Sequence, residues 1–365
     1  MSKPGEAPGP VAAERQADPE SKHPILRDPR VLAWVERYLR RTFSIPSGTS
    51  VSLSLPGAGA RTPVLIARWA GERTAVVKLF DETTRFVSSS FHLRYFHSHG
   101  LPVPALLSWS VASRGSALRR YVAVEEFASG RMLEDLPPDE RAAGREAIAR
   151  ALAGVHACRR RSWGRVGVPR AGTYARGYLK LALDRLARLE RDGPVDALRR
   201  LAGELRSAAG ELPRPASYSL IHAHVNAGNF LIDGPNAFVI DVGSAHYGDA
   251  TRDLIRALHR LCPGRPEAQR FLSDYFAAAG EEAREAFVRA EPLYACDYVL
   301  RGMRGLADAW WRQGERSAEE IRQGIHARVD QCFEMLRPGG SGFVELWPDV
   351  RVEPRLMDRE PGAHR

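Results

Sequence analysis

Short blocks of apolar residues dominate the first third of the chain, and apolar residues recur at helical spacing over most of the remainder. Val31, Leu32, Val35, Tyr38 and Leu39 share one helical face, with Arg37, Arg40 and Arg41 largely on the other; an amphipathic helix over 31–42 follows, opened by Asp28-Pro29. Residues 51–55 and 64–69 read as strands on either side of Pro56-Gly57-Ala58-Gly59-Ala60-Arg61, and 74–80 as a third strand with Lys78 alone among apolar neighbours. Residues 84–99 carry Phe86, Leu93 and Phe96 at helical spacing and end in Gly100-Leu101-Pro102-Val103-Pro104. Two more strands are expected over 105–109 and 121–127. After Pro137-Pro138-Asp139-Glu140 the pattern becomes helical: Asp139 is expected to cap a helix through Val155 with Ala147, Ile148, Ala151 and Leu152 in its stripe. Helices over 173–209, broken at Gly193-Pro194, and others reaching about Leu336 follow. They include 301–312, where Trp310 and Trp311 are either core or a ligand stack.

One hairpin interrupts the helical part. Residues 229–232 and 237–240 read as strands around the turn Asp233-Gly234-Pro235-Asn236, and the second strand ends on Asp241. His222, His224 and Asn229 precede the first strand, so the hairpin brings them and Asp241 to one end. An amide oxygen and a carboxylate converging there are oxygen ligands for a hard cation such as magnesium. That is a phosphate-handling arrangement. Gly57 and Gly59 would let backbone amides approach a phosphate, although an ordinary β-turn reads the same way. An ammonium in a buried strand needs a partner, because desolvating it is costly; otherwise Lys78 is an edge residue facing water.

On these residues the chain resembles the kinase-like phosphotransferases, in particular the aminoglycoside phosphotransferase and choline kinase group. Asn226-Ala227-Gly228-Asn229 adds some likeness to the lipopolysaccharide core sugar kinases. His222-Ala223-His224, four residues, Asn229 and then Asp241 follow the family's catalytic loop, hairpin and metal site. The likeness covers about residues 50–310. It implies an α+β, bilobal protein-kinase-like fold: a tail over 1–22, a small β-rich N-lobe over 23–127, a larger mostly helical C-lobe over 128–337, and a second tail over 338–365. It further implies that Gly57, Gly59 and Lys78 serve the phosphates of ATP. Val124-Glu125-Glu126-Phe127-Ala128-Ser129-Gly130 matches the hinge, where Glu126 is either structural or touches a ribose. Asn229 and Asp241 would hold Mg or Mn. In Tyr247-Gly248-Asp249-Ala250-Thr251-Arg252-Asp253-Leu254, Asp249 would cap a helix and Asp253 would brace the loop. Two departures stand out. His224 occupies the position of the catalytic Asp, and the helix over 84–99 lacks the Glu expected near Ser89, which leaves Asp241 or Glu82 to pair with Lys78.

With 365 residues and 44% hydrophobic content the chain can bury a sizeable core. Its net charge of +9, carried mostly by Arg, suits anionic ligands or reflects a GC-rich genome. Nucleic acid is not expected as a partner, since no basic and aromatic module accompanies the charge. Cys158, Cys262, Cys296 and Cys332 lack CxxC spacing, so neither zinc nor disulfides are indicated and a reducing cytoplasm is expected. No signal peptide and no membrane span are expected. The functional expectation is an ATP-dependent phosphotransferase acting on a hydroxyl of a small molecule or sugar, with a neutral His224 imidazole as general base. His224 could instead be transiently phosphorylated or join Asp241 in holding manganese. The alternative is a nucleotide-binding pseudokinase with a regulatory or interaction role. Sequence does not name the acceptor.

Overall fold

The computed structural model describes residues 23–56, 62–71, 73–111, 120–190, 195–313 and 317–346, without the side chains of 304–313 and 318. The stretch read as an N-terminal tail lies outside the described residues, as does the second tail beyond 346. The chain divides into two compact units, residues 1–90 with 105–127, and residues 91–104 with 128–365.

In the first unit α1 (Pro29–Thr42) starts at Asp28, whose side chain accepts from Arg30 N at 2.9 Å, satisfying one of the helix's open donors. Strands β1 (Val51–Ser54), β2 (Val64–Trp69), β3 (Arg73–Phe80), β4 (Leu106–Val111) and β5 (Tyr121–Glu126) form an antiparallel sheet in the order β1-β2-β3-β5-β4. Alternation along β3 sends Ala75, Val77 and Leu79 into one core with Val122 and Val124 of β5, Leu65 and Ala67 of β2, and Val31, Val35 and Leu39 of α1. The opposite face receives Phe80, which packs with Phe86 and Ala123, and it also receives Lys78. Phe86 lies near the start of α2 (Thr83–Ser98), a helix whose residues 83–90 group with this unit and 91–98 with the other.

The second unit is mostly helical. Its elements are α3 (Arg141–Ala157), the short strands β6 (Arg159–Arg160), β7 (Trp163–Arg165) and β8 (Val168–Arg170), helices α4 (Tyr174–Leu189) and α5 (Val195–Glu211), strands β9 (Tyr218–Ile221), β10 (Phe230–Asp233), β11 (Asn236–Val239) and β12 (His246–Gly248), then α6 (Thr251–Leu261), α7 (Arg265–Ala279), α8 (Glu281–Gln313) and α9 (Ala318–Leu336). A sheet of order β6-β9-β12-β7-β8 and the separate β10-β11 hairpin hold the loop between β9 and β10. Helix α3 packs on α7 and against β9, β10 and β11. Asp139 does not cap it: Glu140 N already bonds Pro137 O at 3.0 Å, so the chain has turned before Asp139 could serve, and the capping position falls to Glu140 without a side-chain bond.

The hairpin is one residue tighter than expected. Asp233 pairs with Asn236 across Gly234-Pro235, and the first strand begins at Phe230 because Asn229 belongs to a 3-10 turn, Ala227–Asn229. On its outer edge Val239 N donates to Pro102 O at 2.7 Å, which gives the Gly100-Leu101-Pro102-Val103-Pro104 run a structural role. Gly130 serves the other strand: Arg131 and Ile232 exchange two backbone hydrogen bonds, at 3.0 and 2.8 Å, and a Cβ on Gly130 would lie 2.9 Å from Ile232 O. Within the stretch expected as a C-terminal tail, Phe343 is fully buried and its N–H donates to Glu291 Oε1 at 2.8 Å, so residues 338–346 include packed structure. No described helix is long and apolar enough to cross a membrane.

Two glycines should respond with opposite signs. Gly130 has φ +135° and faces backbone, so Gly130→Ala is expected to cost about 2 kcal/mol or more. Gly154, exposed within α3 with open space at its Cβ position, should gain about 0.5–1 kcal/mol on Gly154→Ala. Denaturant midpoints check both.

Candidate active site

The first unit holds the cation. Antiparallel pairing sets Lys78 opposite Ala123 and Val76 opposite Glu125, so Lys78 and Glu125 are diagonal neighbours on one face of the sheet. Lys78 Nζ lies 2.7 Å from Glu125 Oε2, with side-chain exposures of 17% and 5%. Glu125, on the neighbouring strand β5, is therefore a partner of Lys78 beyond the Glu82 and Asp241 considered from sequence. A mostly buried pair of this kind restricts where the lysine can sit, because separating the charges forfeits an attraction that burial strengthens. Glu126 lies on the other side of the strand, where its Oε2 accepts from Ala105 N at 3.0 Å and ties the end of β5 to the residue before β4. Gly57 and Gly59 lie outside the described residues.

The second unit holds the loop from His222 to Asn229, whose backbone is tied down by several hydrogen bonds. His222 N and Ala223 N donate to the two oxygens of Asp253, at 2.6 and 2.9 Å. His224 N donates to His222 Nδ1 at 3.2 Å, which makes Nε2 the protonated nitrogen of His222; that N–H donates to Ile240 O at 3.0 Å. Burial keeps His222 neutral by lowering its pKa, which the tautomer requires. His224 O accepts from Asn229 Nδ2 at 2.7 Å and Asn226 Nδ2 at 3.2 Å, and Val225 O accepts from Arg256 Nε at 2.8 Å. The bonds hold Ala223 in a left-handed conformation, φ 64°, that a side chain disfavours.

Asp253 is the anchor. Burial alone would push its carboxyl up, but hydrogen bonding from His156 and the charges of His156 and Arg252 outweigh that and hold it at about 2. Its third contact is His156 Nε2 at 3.4 Å, and His156 Nδ1 lies 2.8 Å from the Tyr275 hydroxyl. His156, read from sequence as a packing residue, thus links α3, α6 and α7 beneath the loop. Asp249 accepts from Thr251 N at 2.9 Å at the start of α6.

His224, Asn229 and Asp241 meet above this base. His224 Nδ1 lies 3.5 Å from Asp241 Oδ2, and the two side chains are 36% and 58% exposed. Asp241 takes a left-handed conformation, φ 58° and ψ 49°, two residues past β11. With Asn229 Nδ2 committed to His224 O, Oδ1 is the atom of that amide that can serve a ligand. No group of three or more His, Cys, Asp or Glu side chains capable of holding a metal occurs among the described residues. An Asn oxygen and one carboxylate fit a magnesium-type ion, which keeps waters and takes phosphate oxygens for the rest of its shell.

Sequence reading missed Glu125 and Arg256 and gave His156 no part in the loop. Lys78 and Glu125 each stand among apolar strand residues, but only the pairing register of β3 and β5 sets them side by side. Arg256 gave no signal, since an arginine on an amphipathic helix is ordinarily solvated.

The family described as "Phosphotransferase enzyme family" (APH) has a model that matches residues 53–291. No curated protein sequence matches the chain. Solved structures do. A thermostable mutant of aminoglycoside phosphotransferase APH(4)-Ia, in ternary complex with ADP and hygromycin B, aligns at 18% identity and TM-score 0.58 over 84% of this chain and 99% of that one. A candidate aminoglycoside phosphotransferase from Ralstonia eutropha JMP134 aligns at 14% identity and TM-score 0.57, over 84% and 98%. A candidate fructosamine-3-kinase from Thermobifida fusca YX-ER1 aligns at 21% and 0.52, over 82% and 98%. Likeness at these identities establishes a shared kinase-like fold.

A double-mutant cycle checks the relocated ion pair. Lys78→Met and Glu125→Met should each destabilise by roughly 3 kcal/mol, because each removes one member of a mostly buried ion pair, while the double variant should recover most of the loss. Strictly additive costs in denaturant unfolding would remove the pair from the account.

Proposed function

Since the chain belongs to the phosphotransferase enzyme family, we propose that it moves the γ-phosphoryl group of ATP onto a hydroxyl of a small molecule or sugar, with His224 as general base. The observation that carries this reading is the approach of His224 Nδ1 to Asp241 Oδ2, 3.5 Å, on a loop whose backbone is pinned by Asp253, His222, Asn229 and Arg256. With Nδ1 turned to a carboxylate, Nε2 is the nitrogen left to take a proton, as in dyads where an acidic side chain orients a histidine.

The step balances simply. The acceptor oxygen attacks the γ-phosphorus, the bond from that phosphorus to the β,γ-bridging oxygen breaks, ADP leaves, and the hydroxyl proton passes to His224 Nε2. Phosphoryl transfer asks mainly for positioning and charge neutralisation, and Lys78, oriented by Glu125, is suited to pair with nucleotide phosphates. Asn229 and Asp241 would hold a divalent ion, which neutralises phosphate charge when bound. Asp241 then has two tasks, orienting His224 with one oxygen and taking the ion with the other.

The pseudokinase reading keeps one observation in its favour, the absence of an acidic base at position 224. A titration separates the two. ATP is titrated calorimetrically with Mg, with Mn and with neither, and ADP formation is followed across a panel of hydroxylated acceptors. Metal-dependent binding that Asp241→Ala abolishes is expected, together with turnover that His224→Ala lowers by about 10²–10⁴-fold. Binding without turnover for any acceptor, water included, would leave the pseudokinase; no binding at all would remove both.

A further inference from the structure

Two guanidinium groups beside the loop are only half used. Arg252 and Arg256 are four residues apart on α6 and therefore share a face. Both are partly buried. Arg256 spends its Nε on Val225 O, and among the described residues neither of its Nη groups has an acceptor. Arg252 spends its Nη1 on the Tyr174 hydroxyl at 3.1 Å and His246 Nε2 at 3.2 Å, and its guanidinium lies 5.0 Å over the Tyr178 ring. All three of those partners are neutral. His246 donates through Nδ1 to Ser244 O at 3.0 Å, leaving Nε2 as a lone-pair acceptor, and burial followed by repulsion from Arg252 lowers its pKa to about 4.

Nearby carboxylates are committed elsewhere. Asp253 takes two loop N–H groups and His156, Asp249 takes Thr251 N, and Asp297 pairs with Arg185. Among the described residues neither Arg252 nor Arg256 has a carboxylate within ion-pair distance. Burial and the surrounding charges of Arg301, Arg260 and Arg252 outweigh the opposing influence of Tyr298 and lower the Arg256 pKa to about 10. Asp253 acts on Arg252 only through its charge, because its oxygens are taken by the loop N–H groups and His156, and planar forks with open ends match carboxylate or phosphate geometry.

We propose that Arg252 and Arg256 bind an oxyanion carried by the acceptor, a carboxylate or a phosphate ester, so that the substrate class is a hydroxylated acid or a phosphorylated sugar rather than a polycationic aminoglycoside. Tyr174 and His246 aim Arg252 at that group. Arg256, fixed to Val225 O one residue past His224, places the anion at a set distance from the base. The inference rests on the phosphotransferase reading for the word acceptor; the anion site itself stands without it.

Direct binding without ATP keeps the two apart. D-gluconate is compared with D-glucose, D-glucose 6-phosphate with D-glucose, and inorganic phosphate and hygromycin B are titrated alone, each into the wild type, Arg252→Lys and Arg252→Gln. At least one anionic probe is expected to bind at least about tenfold more tightly than its neutral counterpart, with Arg252→Gln losing that preference, Arg252→Lys keeping part of it and ATP affinity unchanged in both. Binding of none of the anionic probes, equal binding of neutral and anionic partners, tighter binding of hygromycin B, or a loss confined to ATP would overturn the proposal. Thermal melts of both variants establish that they are folded. If anions bind and ATP does not, the anion site survives and the phosphotransferase reading fails.

Discussion

A single buried carboxylate organises the loop from His222 to Asn229. Asp253 receives His222 N and Ala223 N, one on each oxygen, and is held from below by His156, which in turn touches Tyr275. In a site shielded from water each of these charge-assisted bonds is strong, and losing the acceptor would strand two backbone donors at about 1–3 kcal/mol each. The strain of a left-handed Ala223 is sustained by the same bonds. Everything above follows: with 222 and 223 fixed, His222 reaches both His224 N and Ile240 O, and so couples the loop to the strand end that leads into Asp241. The 3.5 Å approach of His224 to Asp241 is thus a consequence of main-chain bonding more than of the exposed pair itself, since such surface pairs contribute little on their own.

An imidazole at position 224 changes what the neighbouring carboxylate can do. Two carboxylates at 224 and 241 would repel and need a cation between them; an imidazole and a carboxylate attract. The lysine's counter-ion has moved as well. With Glu125 on the adjacent strand, Lys78 has a carboxylate partner set within one sheet by register, while Ser89 stands at the position of α2 expected to be acidic.

Much of the fold was legible because alternation and helical spacing are local. The five strands of the first unit, α1 with its Asp28 cap and the hairpin follow from runs of a few residues, and small errors at Asn229 and Asp139 arose where a turn began one residue away from its side-chain signal. The Asp253 brace was legible only through family resemblance, since nothing local connects it to a loop thirty-one residues earlier. Glu125 was hidden for a different reason: whether a strand carboxylate faces Lys78 depends on the pairing register of β3 and β5, which no single strand encodes. Arg252 and Arg256 look solvated in sequence; their partial burial and neutral partners appear only when β12, α4 and α6 are brought together.

The measurement that bears most directly on this account is the pH dependence of ADP formation from ATP for the wild type and for His224→Asp, in the same buffer series and with saturating metal. If His224 is the base, the variant, with a carboxylate at the same position, remains active but with a pH profile displaced from that of the wild type. Superimposable profiles would show that position 224 takes no proton in the rate-determining step and would contradict the account.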